Sequence, residues 1–410
     1  MPAYDRRRDV VPVAAIYGAN ASGKSNLLGG LRLMANLVRR SPLREPGTGV
    51  PRQPNRPQGE SEPSVFVVGI VARGVRFTYG FSVNDEQVLE EWLYSYPHNK
   101  KRVLFERELD GINFGSTVQH RREAELIERA VRPESLFLGV AARLDFADVL
   151  DAYSWFQRTL RFPRLDSFLS ERRVTQFIER SEQNRGLLLE LLRSADFGIV
   201  DVGLERESSD ESMPAWIESE IKRSSGLADS DDFDDLALRS FRRGPEKPGR
   251  QTRLSFVHGN GAKFVLGDES AGTRSWLFLL PDLLDCLETG SVLIVDEIDT
   301  SLHPLLVRKL IEIFRSPKRN PHGGQLVFTT HDAYLLAPVE GEAALERDQV
   351  WFVEKPPDGV SRLYPLSDFH PRNEHNLARR YLGGAYGAVP FLDDLDDIVV
   401  PAQTDGSTDH

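Results

Sequence analysis

Eight consecutive residues near the start, Gly18-Ala19-Asn20-Ala21-Ser22-Gly23-Lys24-Ser25, constrain the fold more than anything else in this 410-residue chain. They satisfy G-x-x-x-x-G-K-[ST], a pattern that residue frequencies produce by chance in about one chain in a hundred of this size. The apolar run 11–17 before them reads as a short buried strand. After them, Leu27, Leu28, Leu31, Leu33, Met34 and Leu37 recur at near-helical spacing and predict a helix over 24–38. A strand, a glycine turn and a helix in this order form a phosphate-binding loop. The glycines let the backbone curl so that successive N–H groups face phosphate oxygens, and the helix adds the positive end of its dipole. Residues 18–26, including Asn20, Ala21, Ser22 and Asn26, are therefore expected to line a nucleotide site. Lys24 would bridge the terminal phosphates and the Ser25 hydroxyl would ligate Mg²⁺.

A second apolar strand, 291–295, ends in the acids Asp296 and Glu297. Paired with a phosphate loop, such acids point to metal-assisted phosphoryl chemistry: Asp296 joins the Mg²⁺ sphere and Glu297 polarises the attacking water as general base. Just downstream, Thr300 or Ser301 is expected to cap a helix over 303–314 with Pro304 in its first turn. A further strand, 325–329, delivers Thr330-His331-Asp332. A histidine at the C-terminal end of a parallel strand reaches the crevice where such sheets bind ligands, so His331 reads as a γ-phosphate sensor.

Between these parts the chain changes character. Residues 41–64 carry six prolines and no periodicity, a loop. Segments 65–71, 75–83, 90–96 and 102–107 are rich in Val, Phe, Tyr and Trp with turn signals between, an antiparallel meander. A helical region follows to 204, then a charged insertion over 205–250 containing the acidic run 229–235. A strand near Phe264, a helix over 272–287 and a strand over 349–354 complete an alternating pattern that implies a mostly parallel sheet covered on both faces. The expected parts are 1–40, the phosphate-loop half of a head; 41–64; 65–120, the β subdomain; 121–204; 205–250; 251–370, the other half of the head; and 371–410, the C-terminal motif and tail.

Composition narrows the setting. A net charge of −11 and a pI near 5.4 argue against whole-surface attraction to nucleic acid. The clusters Arg39, Arg40, Arg44 and Arg239, Arg242, Arg243, Arg250 leave nucleic acid open as a partner, although each reads as a solvated loop before a phosphate track. The single cysteine, Cys286, excludes an internal disulfide or multi-cysteine zinc site and reads as a buried small residue. No apolar run is long enough for a membrane span and the first residues are charged, so a cytoplasmic, membrane-free protein is expected.

These motifs together resemble ABC-type ATPases of the SMC-like branch, and more narrowly the stand-alone ATPases related to the OLD group of bacterial anti-phage and abortive-infection systems. The resemblance implies an α/β P-loop NTPase with an ABC-type head, ATP and Mg²⁺ as cofactors, and ATP hydrolysis. It identifies Glu269-Ser270-Ala271-Gly272-Thr273 as the signature motif, with Ser270, Gly272 and Thr273 contacting a nucleotide held by a second copy's phosphate loop. Asp299 becomes the D-loop residue and His331 the switch histidine. It also implies a head-to-tail homodimer controlling a separate effector, such as a TOPRIM-type nuclease. The closing segment 381–390 resembles the terminal motif of these ATPases, a motif to which no mechanism attaches. The acidic residues Asp393, Asp394, Asp396 and Asp397 beyond it read as a solvated tail, too short for a nuclease. Three departures stand out. The signature lacks the leucine and glutamine common in transporters. Gln119 and Gln157 are the candidates for a glutamine-loop residue. The phosphate loop starts at residue 18, where relatives place one or two strands first, so the chain is expected to begin short. An SMC-like DNA-repair ATPase is the alternative in partner. A transporter subunit is the alternative in class, disfavoured because a β-meander and a charged insertion stand where its glutamine loop and helical subdomain belong.

Overall fold

The computed structural model describes residues 10–54, 59, 61–163, 168–195, 197–208, 250–338, 342–370 and 376–390. The acidic run, the Arg239–Arg243 cluster and the tail beyond 390 lie outside these residues. Three sheets organise the described residues. The central one is built from β1 (Val13–Tyr17), β7 (Leu160–Arg161), β11 (Val292–Val295), β12 (Gln325–Thr330), β13 (Val350–Glu354) and β14 (Arg362–Pro365), in the order β14-β13-β1-β12-β11-β7. Every neighbouring pair is parallel except β13–β14. The antiparallel edge β14 and the two-residue edge β7 were not expected from the sequence. Both are too short to show a period of two.

Alternation along the central strands sends side chains into two cores. Ala15, Tyr17, Leu293, Val295, Leu326, Phe328 and Phe352 enter one, with α5 (Phe168–Arg180), α6 (Glu182–Ser194), α7 (Ala271–Thr289) and α9 (Pro304–Arg315) packed over it. Ile16, Val292, Ile294 and Val353 enter the other, under α1 (Lys24–Arg40), α3 (Phe137–Arg143) and α4 (Ala147–Arg158). A parallel sheet with both faces covered is what the unbroken apolar run Val292–Val295 requires.

The meander is the five-stranded sheet β2-β3-β4-β5-β6, formed by β2 (Ser64–Ala72), β3 (Val75–Val83), β4 (Val88–Ser95), β5 (Arg102–Glu108) and an additional β6 (Gly111–Phe114). Gly80 is required there: any β-carbon would meet the Trp92 ring at 2.6 Å on the neighbouring strand and closer at a second ring atom. Glu91, fully buried, locks this sheet to the helices. It accepts the amides of Phe137 (2.6 Å) and Leu138 (2.9 Å) and the Tyr79 hydroxyl (2.9 Å), with Arg107 at 3.6 Å. The third sheet, β10-β9-β8, joins β8 (Ile199–Ser208), β9 (Arg250–His258) and β10 (Lys263–Val265). Residues 205–208 therefore continue a strand rather than opening the charged insertion, and Arg250 starts the returning one.

Arg39 is a structural cation rather than part of a surface stripe. Its guanidinium donates to the Phe156 carbonyl, and burial pushes its pKa down to about 10. Cys286 is buried, as its apolar setting predicts. No helix among the described residues is long and apolar enough to cross a membrane.

Candidate active site

The parallel register aligns the C-terminal ends of three strands. Tyr17 stands opposite Thr330, and Val295 opposite Phe328. The phosphate loop, the acid pair and His331 therefore emerge along one edge of the sheet, the edge where open α/β sheets hold ligands. A cavity of about 470 Å³ opens there, lined by Asn20, Ala21, Ser22, Gly23, Lys24, Ser25, Asn26, Glu297, Thr300 and His331.

The loop's backbone explains its residue types. Gly23 has φ +105°, and a β-carbon there would sit 2.5 Å from Ser361 Oγ. Gly18 is equally tight, with Ser22 Oγ and the Val353 carbonyl each 2.5 Å from where its β-carbon would be. Lys24 Nζ donates to the carbonyls of Gly18 (2.8 Å) and Ala19 (3.0 Å), curling back over the loop. Burial lowers its pKa, while Glu297, Asp299 and Asp296, in that order, oppose the shift. A buried ammonium under the influence of three carboxylates is a setting that suits an anion arriving with a metal.

The acid pair is held from behind by a residue that sequence reasoning did not single out. Thr329, fully buried at the end of β12, accepts the Glu297 amide (2.7 Å) and donates its hydroxyl to Asp296 Oδ1. Glu297 itself adopts φ +47°, ψ +53°, a left-handed conformation rare for a residue with a side chain. His331 is bound to Asp299 through its ring Nδ1 (2.9 Å) and its amide (3.3 Å), which leaves Nε2 as the free polar atom of the ring.

Several expectations need adjustment. The helix α9 is capped by His303, whose Nδ1 accepts the Leu305 amide at 3.2 Å, not by Thr300 or Ser301. Those two belong to a separate short turn, α8 (Ile298–Ser301), because Pro304 at the first position of α9 moves the helix start downstream. Thr300 instead lines the cavity, its hydroxyl donating to the Glu297 carbonyl (2.8 Å). Gly18, Asp296 and Asp299 stand behind or beside the cavity rather than among its lining residues. Neither Gln119 nor Gln157 lines it, and both are exposed elsewhere. Ser270, Gly272 and Thr273 are also outside it. Ser270 caps α7, accepting the Thr273 amide (3.1 Å) and sharing a hydrogen bond with the Thr273 hydroxyl (2.8 Å). It is exposed, and nothing but its own Oγ approaches the open side of Gly272.

The residues fit a nucleotide with Mg²⁺. Ser25 and Asp296 supply hard oxygen donors, and Mg²⁺ at phosphate sites takes only one or two protein ligands, the remainder coming from phosphate and water. Among the described residues no cluster of three or more His, Cys, Asp or Glu could hold a metal unaided.

Residues 13–337 match the family described as "AAA domain, putative AbiEii toxin, Type IV TA system". The chain belongs to this AAA family. No curated protein matches it. Among solved structures, the AAA chain is similar to the Smc head bound to the C-winged helix domain of ScpA, at 12% identity and TM-score 0.36, covering 86% of this chain and 90% of that one. It is similar to the SMC head domain from Thermotoga maritima at 13% identity and TM-score 0.36, over 86% and 89%. A third is the Smc head with an extended coiled coil, bound to the C-terminal domain of ScpA, from Pyrococcus furiosus, at 14% identity and TM-score 0.33 over 88% and 92%. As an AAA domain the chain is a nucleotide-binding protein of P-loop architecture.

The terminal segment docks beside this edge. Tyr381, on α10 (Leu377–Leu382), and Tyr386 both stack on Phe352, at 5.7 and 5.5 Å between ring centroids. Tyr364 donates to the Tyr386 carbonyl (2.9 Å). Gly387, at φ +65°, lets that hydroxyl approach to 2.7 Å of where a β-carbon would be.

Proposed function

We propose that this AAA protein hydrolyses ATP and works as a nucleotide-gated, head-to-tail dimer that controls a separate effector. Lys24 and the loop amides hold the β- and γ-phosphates. Ser25 and Asp296 hold Mg²⁺, which when bound neutralises phosphate charge. Glu297 takes the proton of the attacking water, and His331 Nε2 faces the γ-phosphate, its ring fixed by Asp299. The single observation that carries this reading is the convergence of residues 20–26, Glu297, Thr300 and His331 on one cavity from three separate chain segments.

The dimer follows from the signature motif. Ser270 lies exposed and Gly272 half-buried at the start of a 19-residue helix, outside the cavity, so a phosphate they contact would be one held by a second copy. Two nucleotides then act as interface glue, and hydrolysis at Glu297 releases the pair. The family's toxin–antitoxin heading supports a role in defence; a separate cytoplasmic effector, such as a nuclease of the TOPRIM type, completes the proposal.

Glu297→Gln keeps the shape and hydrogen-bonding of the base but cannot accept the water's proton. Size-exclusion chromatography with light scattering should show it as a monomer without nucleotide and a dimer with ATP and Mg²⁺. Identical elution in both conditions would discard the dimer mechanism.

A further inference from the structure

The strand entering the phosphate loop ends in Tyr17, whose ring is wholly buried and whose hydroxyl has no hydrogen-bond partner. Two carboxylate oxygens are in the same state, Asp299 Oδ1 and Asp332 Oδ2. All three share one neighbourhood. Tyr17 pairs with Thr330 across β1 and β12, and Asp332 follows Thr330 by two residues. Asp299 reaches the same segment through the amide and ring of His331. The two carboxylates thus bracket His331, one by sequence and one by direct contact.

Chemistry makes the three atoms complementary. A phenol can donate one hydrogen bond, and a carboxylate oxygen only accepts. Burial, followed by Asp332, Tyr381 and Asp299, raises Tyr17 well above the ordinary phenol range, so it keeps the proton it would donate. Its surroundings are otherwise closed. Phe352 packs at 6.1 Å and Tyr381 edge-on at 5.4 Å, with the Tyr381 hydroxyl spent on the Ala388 carbonyl (3.3 Å). A buried donor in the neighbourhood of two buried acceptors, none of them satisfied, is a costly arrangement.

We infer that Tyr17 is a positioning residue for the switch: its hydroxyl, walled in by Tyr381 of the terminal motif, donates to one of the two carboxylates bracketing His331 as nucleotide closes the site. This ties the strand feeding the phosphate loop to the histidine that senses the terminal phosphate, and it gives segment 381–390 a task, the sealing of that bond from water. The inference rests on the ATPase reading above.

Steady-state ATP hydrolysis by the full chain tests it. Tyr17→Phe removes one buried oxygen without a partner and keeps the ring, so without nucleotide it should melt no lower than the parent. Its kcat should fall about tenfold, the loss of one hydrogen bond to a charged group, with KM for ATP within about twofold. Combined with His331→Ala, it should lower kcat no further than His331→Ala alone, because both act through one group. Unchanged kcat in Tyr17→Phe, a matching rise in KM, or losses that multiply in the double variant would overturn the inference and leave the ATPase reading standing. A parent protein without turnover would overturn both. Should Tyr17→Phe fail to fold, Asp332→Asn carries the same expected split between kcat and KM, and an unchanged kcat there is equally fatal.

Discussion

Thr329→Val is the sharpest probe of how the acid pair is held. Valine keeps the branched shape that a buried strand position accepts, and Thr329 is fully buried, so the change removes two hydrogen bonds with little change of volume. One is the bond accepted from the Glu297 amide at 2.7 Å; the other is donated to Asp296. The amide matters more. It belongs to a residue held at φ +47°, a conformation that persists only while its surroundings enforce it. An unsatisfied backbone N–H costs about 1–3 kcal/mol. If Glu297 relaxes toward an ordinary backbone conformation to relieve that cost, its carboxylate leaves the cavity. Spending 1.4–2.8 kcal/mol of this on misplacement corresponds to a roughly 10- to 100-fold fall in kcat. Asp296, without its donor, should also hold Mg²⁺ less well oriented, so the Mg²⁺ concentration for half-maximal rate should rise. Coupled-assay kinetics across a Mg²⁺ series read both effects. A variant with kcat and Mg²⁺ dependence within twofold of the parent would refute the claim that Thr329 sets the geometry of the acids.

Three further outcomes are expected. Gly23→Ala should abolish nucleotide binding, measured by fluorescent-nucleotide titration, because a β-carbon at φ +105° also meets Ser361 Oγ at 2.5 Å. Gly29→Ala, in α1 with nothing within 4 Å, should instead raise stability by about 0.5–1 kcal/mol in urea melts. Cys286 should resist iodoacetamide at pH 8 in the native protein and react in urea, since burial pushes its thiol up to about 12 and its Sγ donates to the Ser291 carbonyl (2.8 Å). Fast labelling of folded protein would contradict that placement.

The parts of the site legible in the sequence are those where a local backbone demands particular residue types. A loop with φ +105° at one position and phosphate-facing amides at others can hardly be written without Gly23 and Gly18, so it announces itself in eight residues. The acids after Val292–Val295 are legible for a similar reason, since a wholly apolar strand has to end where it meets solvent. The meander is legible from its Val, Phe, Tyr and Trp content and its turns, although its last strand β6, like β14 in the central sheet, has only four residues and is too short to register.

What escaped was decided by register between distant segments. Thr329 reads as one more β-branched strand residue until β11 and β12 pair in parallel and bring its hydroxyl beneath Asp296, 33 positions away. Ser361 sits 339 positions from Ser22, whose carbonyl its hydroxyl holds at 2.6 Å, and nothing near Ser361 in the sequence hints at that partner. Tyr17 reads as the last apolar residue of a strand, which it is; only the alignment with Thr330 brings it into the neighbourhood of the acids around His331. The glutamine-loop candidates show the converse. Gln119 and Gln157 are candidates by type alone, with no constraint from neighbouring strands, and the fold leaves both exposed and outside the cavity lining. In this chain the groups that would touch phosphate are dictated by local geometry, whereas the groups that aim them are dictated by strand pairing. A search for its remaining functional residues should therefore follow the partners of β1, β11 and β12 before any further sequence motif.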